Sequence, residues 1–460
     1  MIRSFIGDKA FYKRFFTVAI PIIIQNGITN FVNMLDNVMV GQVGTLPMSG
    51  VSIVNGLLLV FNLCIFGASS GAGIFTAQFH GSKDQEGIRH TFRFKVLCCA
   101  VLSALGCIIF LLAGEYLIGL YLTGEGDAAG AQAIMEYGMR YLRVMLWGFL
   151  PFALSNSYSS TLRETGQTVV PMAAGICAVL VNLVLNYTLI FGHFGAPAMG
   201  IEGAALATVI ARCIELAIVS VWTHTHGRKH PFIQGAYRSP YIPAKLFRGI
   251  VFKGMPLLVN EFLWASAMAI MNQCYSTCGL DVVPAMNISS TLYSLGSVVF
   301  LSMGNSVGIL MGQMLGSGLS VRQIRDNNRK LIATSVTFAF LFSLLVVGFS
   351  GLFPRFYNTT DQIRQLATTL ICINACFMPF NAFTNSTYFT LRSGGQALVT
   401  FLFDSCFVWV CCVPLAYGLS RFTGVDIITM FTLCHCMDLV KCALGTYMLK
   451  QGKWIQNLTV

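Results

Sequence analysis

An all-α integral membrane protein is the fold class this sequence predicts, and three observations predict it. Only 10% of the residues are charged while 55% are hydrophobic, whereas an ordinary soluble domain carries roughly 25% charged residues. The hydrophobic residues fall in runs matching the roughly 20 residues that a spanning helix needs. The short alternating segments of a membrane β-barrel do not dominate. Basic residues also gather in alternate connections between the runs, as in a chain with a fixed orientation in a bilayer.

The runs predict about twelve transmembrane helices. They lie near residues 15–40, 48–79, 93–113, 134–162, 168–191, 200–223, 249–277, 283–314, 329–350, 364–390, 396–419 and 427–449. With the amino terminus taken as cytoplasmic, the inner segments hold Arg3, Lys9, Lys13 and Arg14, then Lys83, Arg89, Arg93 and Lys95. Arg228, Lys229, Arg238, Lys245 and Arg248 follow, and later Arg322, Arg325, Arg329 and Lys330. The outer loops hold chiefly Arg355, Arg364 and Arg421. This asymmetry predicts an even number of spans with both termini inside. The net charge of +11 therefore sets topology and contact with anionic lipid, and no nucleic-acid partner is expected. The first run is too long for a signal-peptide core and lacks a small-residue cleavage site, so no cleavable signal is expected. An Asn-x-Thr triplet at Asn358 does not by itself identify a host.

The spans repeat. Ala19-Ile20-Pro21 opens the first and Gly254-Met255-Pro256 the seventh. The second ends in Gly73-Ile74…Gln78…Gly81-Ser82 and the eighth in Gly308-Ile309…Gln313…Gly316-Ser317. Both pairs are offset by about 235 residues, a period far longer than that of a solenoid. Thr161-Leu162-Arg163 and Thr390-Leu391-Arg392 close the fourth and tenth spans in the same order. Three matches in one order predict two six-helix lobes in parallel orientation, an arrangement used by transporters. The lobes are expected at 1–223 and 249–460. Residues 224–248, polar, basic and broken by Pro231, Pro240 and Pro243, are expected to be the cytoplasmic connection. Pro21 and Pro256 lie about one turn inside their spans, where proline can bend a helix.

The stretch from Ala19 to Gly44 carries the sharpest functional signal. Gln25, Thr29, Asn33 and Asp36 recur at helical spacing and so share one helix face. An ionisable group facing hydrocarbon is costly, so this face is expected to meet protein or water. Asp36 follows Arg14 by about 33 Å of helix, in the outer half of the bilayer. A carboxylate that alternates between a dry and a wet setting takes up and releases a cation or proton.

Other polar residues in the spans have simpler readings. Asp438 and Lys441, and likewise Arg212 and Glu215, sit three apart and predict internal pairs. Asp404 has no evident partner in sequence. Arg140 and Arg143, near Glu136, read as a solvated helix end, and Glu202 suits the first turn of its helix. The sixteen cysteines are expected to be free thiols. Cys434-His435-Cys436 reads as a packed histidine between small residues rather than a metal site. Side chains on polar-striped helices are expected to line a substrate cavity: Asn33, Asn55, Asn62, Tyr158, Trp264, Met268, Asn287 and Tyr293. Phe31 and Met34 belong with them, since aromatics and methionine suit promiscuous recognition of cations.

Taken together, these residues resemble the multidrug and toxic compound extrusion (MATE) family over nearly the whole chain. The resemblance rests on Ala19-Ile20-Pro21 with Asp36-x-x-x-Val40-Gly41-x-x-Gly44, on the two Gln-Gly-Ser span ends, and on Arg163 and Arg392. It is most specific at Asn182…Asn186…Gly192 and at Gly195-Ala196-Pro197 followed by Gly200…Gly203…Thr208. It implies a twelve-helix, two-lobed antiporter that exports cationic or amphipathic compounds against H+ or Na+. The family's cation-coupling residues fall here on Asp36, Asn182, Asn186 and Thr208. Some members carry Asp at the place of Asn186, so this site has one formal charge. A possible second-lobe site falls on Glu261 and on Asn381, where the family uses an aspartate.

The function expected is ion-coupled multidrug efflux by alternating access. A lipid-linked precursor flippase of related architecture, or a channel, is the alternative. Few basic residues lie deep in the spans, which argues against a cavity for a pyrophosphate. No G-x-x-x-x-G-K-[ST] loop occurs and no convergent catalytic set can be assembled from the sequence, so ATP drive and an enzyme are not expected. No cofactor is expected beyond H+ or Na+ as coupling ion, and no metal beyond Na+. The partners expected are a small molecule and the bilayer, for a monomer in a bacterial inner membrane.

Overall fold

A computed structural model of the 460-residue chain describes residues 5–122, 128–279, 281–357 and 359–459. Arg3 and Asn358 lie outside them. The described chain is almost wholly helical. In order run α1 (Lys9–Gly41), α2 (Thr45–Gly81), α3 (Gln85–Leu122), α4 (Ala128–Met145), α5 (Phe149–Glu164), α6 (Val169–Phe191) and α7 (Ile201–Thr225). Then come α8 (Ala244–Ser276), α9 (Val282–Gly316), α10 (Val321–Phe349), α11 (Asp361–Ser393), α12 (Ala397–Phe401), α13 (Val413–Phe422) and α14 (Ile427–Gln451).

Among the described residues, eleven helical segments are long and apolar enough to cross a membrane. The helix ends run past the apolar stretches in most cases, because a helix continues beyond the hydrocarbon until a cap or breaker stops it. Ser320 caps the amino-terminal end of α10 with a capping box, its hydroxyl accepting from the Gln323 N–H at 3.4 Å while the Gln323 side chain accepts from the Ser320 N–H at 3.1 Å. Asp426 accepts from the N–H groups of Ile428 and Thr429 at the start of α14. With the Thr429 hydroxyl donating as well, its carboxyl is held below the usual carboxylate range.

The span expected at 134–162 is not one helix. A 3-10 turn at Leu146–Gly148 divides α4 from α5. Pro151 has no N–H to donate to the carbonyl four residues earlier, and Gly148 gives little helical preference. A tighter turn takes up the defect. The other irregular span runs from Ala397 to Phe422, where two π-helical turns, Leu402–Cys406 and Val408–Cys412, lie between α12 and α13.

The chain divides into two compact units, one of residues 1–23, 77–83 and 252–460, the other of 24–76 and 84–251. The first turns of α1 join the former because Phe15, Val18, Ala19 and Ile22 are buried against Met303, Val307 and Leu310 of α9. In the other unit, Val51, Val54, Leu58 and Phe61 of α2 pack with Phe110, Leu142, Phe149 and Ala205. Phe61 stacks on Phe149 with ring centroids 4.0 Å apart.

The duplicated motif at the ends of α2 and α9 is where its two copies meet. A Cβ on Gly81 would lie 2.0 Å from the Gln313 carbonyl oxygen, and one on Gly316 would lie 1.9 Å from that of Gln78. Each glycine thus lets the backbone of the other copy approach. The Gln78 amide donates to the Ser393 carbonyl at 2.8 Å and accepts from the Leu458 N–H at 2.7 Å, tying the carboxy-terminal residues to this crossing. Gln313 accepts from Arg14 at 3.1 Å. Backbone cannot move aside as a flexible side chain can, so Gly316→Ala is expected to destabilise the protein by about 2 kcal/mol or more. Thermal unfolding in detergent checks this, with Gly348→Ala, where an added Cβ meets nothing within 4 Å, as the neutral control.

Candidate functional site

Asp36 lies three quarters of the way along α1, and its carboxylate is served by α6. Asn182 and Asn186 are one turn apart on α6 and both are buried. The Asn186 amide donates to Asp36 Oδ1 at 2.7 Å. Turned so that its oxygen faces donors, the Asn182 amide donates to Asp36 Oδ1 and Oδ2 at 3.1 and 2.9 Å. Its oxygen then lies 3.3 Å from both the hydroxyl and the N–H of Thr208 on α7. The four residues that family resemblance selects are therefore one cluster of three helices within one unit. The left-handed turn at Gly192 (φ 74°) ends α6 and starts the return to α7, which is how α6 and α7 come to lie side by side.

The cluster holds one carboxylate and no directly bonded base. Among the described residues no Lys, Arg or His pairs with Asp36. Arg212, one turn beyond Thr208, is within electrostatic reach. Its guanidinium, however, bonds Glu215 at 3.0 Å, as the spacing predicts, and lies over the Phe152 ring. The Asn186 oxygen is buried and accepts from no donor. The oxygens in reach of a proton or a hard monovalent cation are those of Asp36 and, once an amide turns, those of Asn182, Asn186 and Thr208.

The predicted second-lobe residues make different contacts. The Tyr388 hydroxyl donates to Glu261 at 3.3 Å. Asn381 instead takes part through its backbone carbonyl, which accepts from Thr384 at 3.1 Å. The neighbours of Glu261 are ones the sequence did not single out. Asn260 donates to Asp404 at 3.0 Å and to Tyr388 at 3.4 Å, and Lys441 donates to Asp404 at 2.6 Å. Lys441 is thus not the partner of Asp438, as the three-residue spacing suggested. Asp438 faces His435 at 3.6 Å, and His435 stacks on Phe377. The π-helical turn at Leu402–Cys406 carries Asp404 to Lys441, and no spacing rule could have revealed that.

The expected cavity residues are placed as follows. Asn33, Asn55, Asn62, Trp264 and Asn287 are exposed on their own units, and Met268 and Tyr293 are half-buried. Asn55 accepts from Tyr141 at 3.4 Å. Tyr158 is buried under the segment after α7, shares a 2.5 Å hydrogen bond with Tyr237 and lies 3.1 Å from His224. Burial pushes the Tyr237 phenol up from its ordinary value. That segment is itself held down: Arg89 and Arg93 of α3 donate to the carbonyls of Pro231, Phe232, Gly235, Ala236 and Tyr241. Arg140, read as solvated, bonds Glu202 at 2.6 Å. Lys95, fully buried, pairs with Glu164 and donates to Thr161 at 3.2 Å. The cysteines are unbridged.

Comparison with known proteins matches residues 21–188 and 256–418 to the family model MatE. A probable multidrug resistance protein NorM from Thermotoga maritima is 22% identical over 448 residues, covering 96% of this chain and 93% of that protein. Another from Bacillus thuringiensis is 24% identical over 422 residues, covering 89% of each. Among solved structures, the Vibrio cholerae MATE transporter VcmN in its bent form superposes with a TM-score of 0.85 at 18% identity, covering 98% of each chain. An outward-facing multidrug resistance MATE family transporter gives the same values.

Removal of the Asn186 amide tests whether Asp36 and α6 act as one cluster. Asn186→Leu is expected to cost about 1–3 kcal/mol, since it takes a donor from a half-buried carboxylate. Asp36→Asn/Asn186→Leu is expected to cost less than the sum of the single changes. A double-mutant cycle of thermal unfolding in detergent reads the coupling, and strict additivity is the contrary result.

Proposed function

Because the chain belongs to the MATE family of transporters, we propose that it is an antiporter exporting cationic or amphipathic small molecules in exchange for H+ or Na+. The observation that carries this reading is Asp36, a carboxylate inside a span whose direct partners are two amides rather than a base. Its neutralisation is left to an ion that comes and goes. The relatives described as probable multidrug resistance proteins support the substrate class.

In the proposed cycle an entering cation takes Asp36, with Asn182, Asn186 and Thr208 as its surroundings. Neutralisation alters how α1 holds to α6 and α7. The exported compound is released because the cation-bound state binds it less well, and a cation can shift the cycle only by binding one state better. Exposed residues such as Asn33, Asn55, Asn62, Trp264 and Asn287, with Met268 and Tyr293, are proposed to contact the compound, and Glu261 with Asn381 a further ion. The protein is proposed to work as a monomer in a bacterial inner membrane, both termini cytoplasmic, with lobes at 1–223 and 249–460 joined by 224–248.

Proteoliposomes loaded with a fluorescent organic cation test this. An imposed pH or Na+ gradient is expected to drive counterflow, and whichever gradient does so names the ion. Asp36→Asn is expected to lower gradient-driven flux at least about 100-fold, on the scale of losing an essential proton-transfer group, while the protein stays folded. Normal coupled flux from that variant, or flux that needs no gradient, contradicts the proposal.

A further inference from the structure

Asp404 and Lys441 form a polar centre in the other unit that the proposed cycle does not use. The π-helical turn Leu402–Cys406 sets it up, since the wider turn shifts the side chains that follow relative to a regular helix. The Ser405 N–H and hydroxyl donate to the Asn260 side-chain oxygen at 3.2 and 2.8 Å. That fixes the amide of Asn260, whose NH2 donates to Asp404 Oδ2 at 3.0 Å. Lys441 of α14 donates to the other oxygen, Oδ1, at 2.6 Å. Lys441 is 9% exposed, and its ammonium lies 5.2 Å from the Phe403 ring centroid, within cation–π reach. Glu261, Tyr388 and Arg392 stand nearby, and Asp438 with His435 lies on the same helix as Lys441.

The centre matches the Asp36 cluster in plan. In each, an asparagine amide on a neighbouring helix donates to an aspartate inside a span. They differ in one respect: at Asp404 the chain supplies a positive charge. Stability alone is a poor reason for that charge, because buried ion pairs are often no more stable than apolar residues of the same volume. We propose that Lys441 is a tethered cation, its ammonium occupying at Asp404 the position that a small monovalent cation would take. This unit then carries no exchangeable ion at Asp404. The consequence for transport, one exchangeable ion at Asp36 alone among the two aspartates, rests on the antiport reading; the tether does not.

The test uses the full chain in detergent with Asp36→Asn as background, so that the first cluster is silent. Thermal unfolding is compared at one pH and ionic strength in choline, Na+ and methylammonium chloride. The salt response of the background protein, any contribution of Glu261 included, is the baseline from which the responses that follow are measured. Adding Lys441→Ala is expected to create a response, a rise of at least about 2 °C in Na+ or methylammonium over choline, as binding to the folded state alone produces. Adding Asp404→Asn is expected to abolish that response. Recovery of folded Lys441→Ala protein only when Na+ or methylammonium is present throughout purification is the same result in stronger form. The proposal is overturned by a Lys441→Ala protein that unfolds alike in all three salts, or by a response that survives Asp404→Asn. It is also overturned if Lys441→Ala folds in none of the salts while Asp404→Asn/Lys441→Met folds, since a free cation then cannot replace the ammonium. Unfolding reads no flux, so failure here leaves the antiport reading standing, and the reverse holds too.

Discussion

A carboxylate inside an apolar span must be given donors, a cation or a proton, because hydrocarbon offers none. Three carboxylates in or at the ends of the spans show how that constraint is met. Glu164 takes the fully buried Lys95. Asp404 takes Lys441 on one oxygen and the Asn260 amide on the other. Asp36 takes amides only. The first two are closed circuits in which charge is cancelled by the chain itself. The third is left with an uncancelled charge and a buried amide oxygen beside it. On the proposed antiport, that imbalance is what an ion-exchanging carboxylate requires.

The same demand for satisfaction explains which parts of the internal repeat persist. Gly81 meets the backbone of Gln313 while Gly316 meets that of Gln78. A contact of this reciprocal kind places the same steric requirement on both copies, so both retain glycine, glutamine and the following serine. Asp36 makes no such contact. Fifteen residues beyond Pro21 stands Asp36, and fifteen beyond Pro256 stands Met271, which is buried among the apolar side chains of its unit. The duplication therefore built the scaffold, and the ionisable cluster was free to differ between halves.

What could be read from the sequence divides along the same physical line. Spans were legible because hydrophobic length is a local property, and the helices lie where the apolar runs placed them. Gly148 and Pro151 lie inside one apolar run, and two proximate defects shared in one place give a 3-10 turn that hydrophobic length alone does not predict. Partnerships across helices were not legible from spacing. Lys441 had a candidate three residues away in Asp438, but the π-helical turn brought Asp404 nearer from another span. The hydrogen bond from Tyr158 to Tyr237, in the segment after α7, was likewise outside the reach of periodicity. Asn182, Asn186 and Thr208 came to Asp36 through family resemblance, and the three-helix cluster gives that resemblance a physical basis.

On the proposed mechanism, the asparagines around Asp36 suit what an exchanging carboxylate requires. Ionised, it needs donors; protonated, it becomes a donor itself and needs an acceptor. A lysine or arginine offers donors alone and would favour the ionised state in every step of a cycle. An amide carries a donor and an acceptor of nearly equal size, exchanged by a half-turn about its last bond. Asn186 presents its NH2 to Asp36 and keeps its oxygen, buried and unpartnered, at the other end of the same group. On the proposed mechanism one side chain thus serves both states, and the difference between them is a rotation rather than the breaking of an ion pair. A metal cation would draw on the same oxygen without that rotation of proton roles. Asparagine is for that reason a better fit than aspartate to a site that binds its ion weakly enough to release it in each turnover, as Lys441 is a better fit where the charge is to stay.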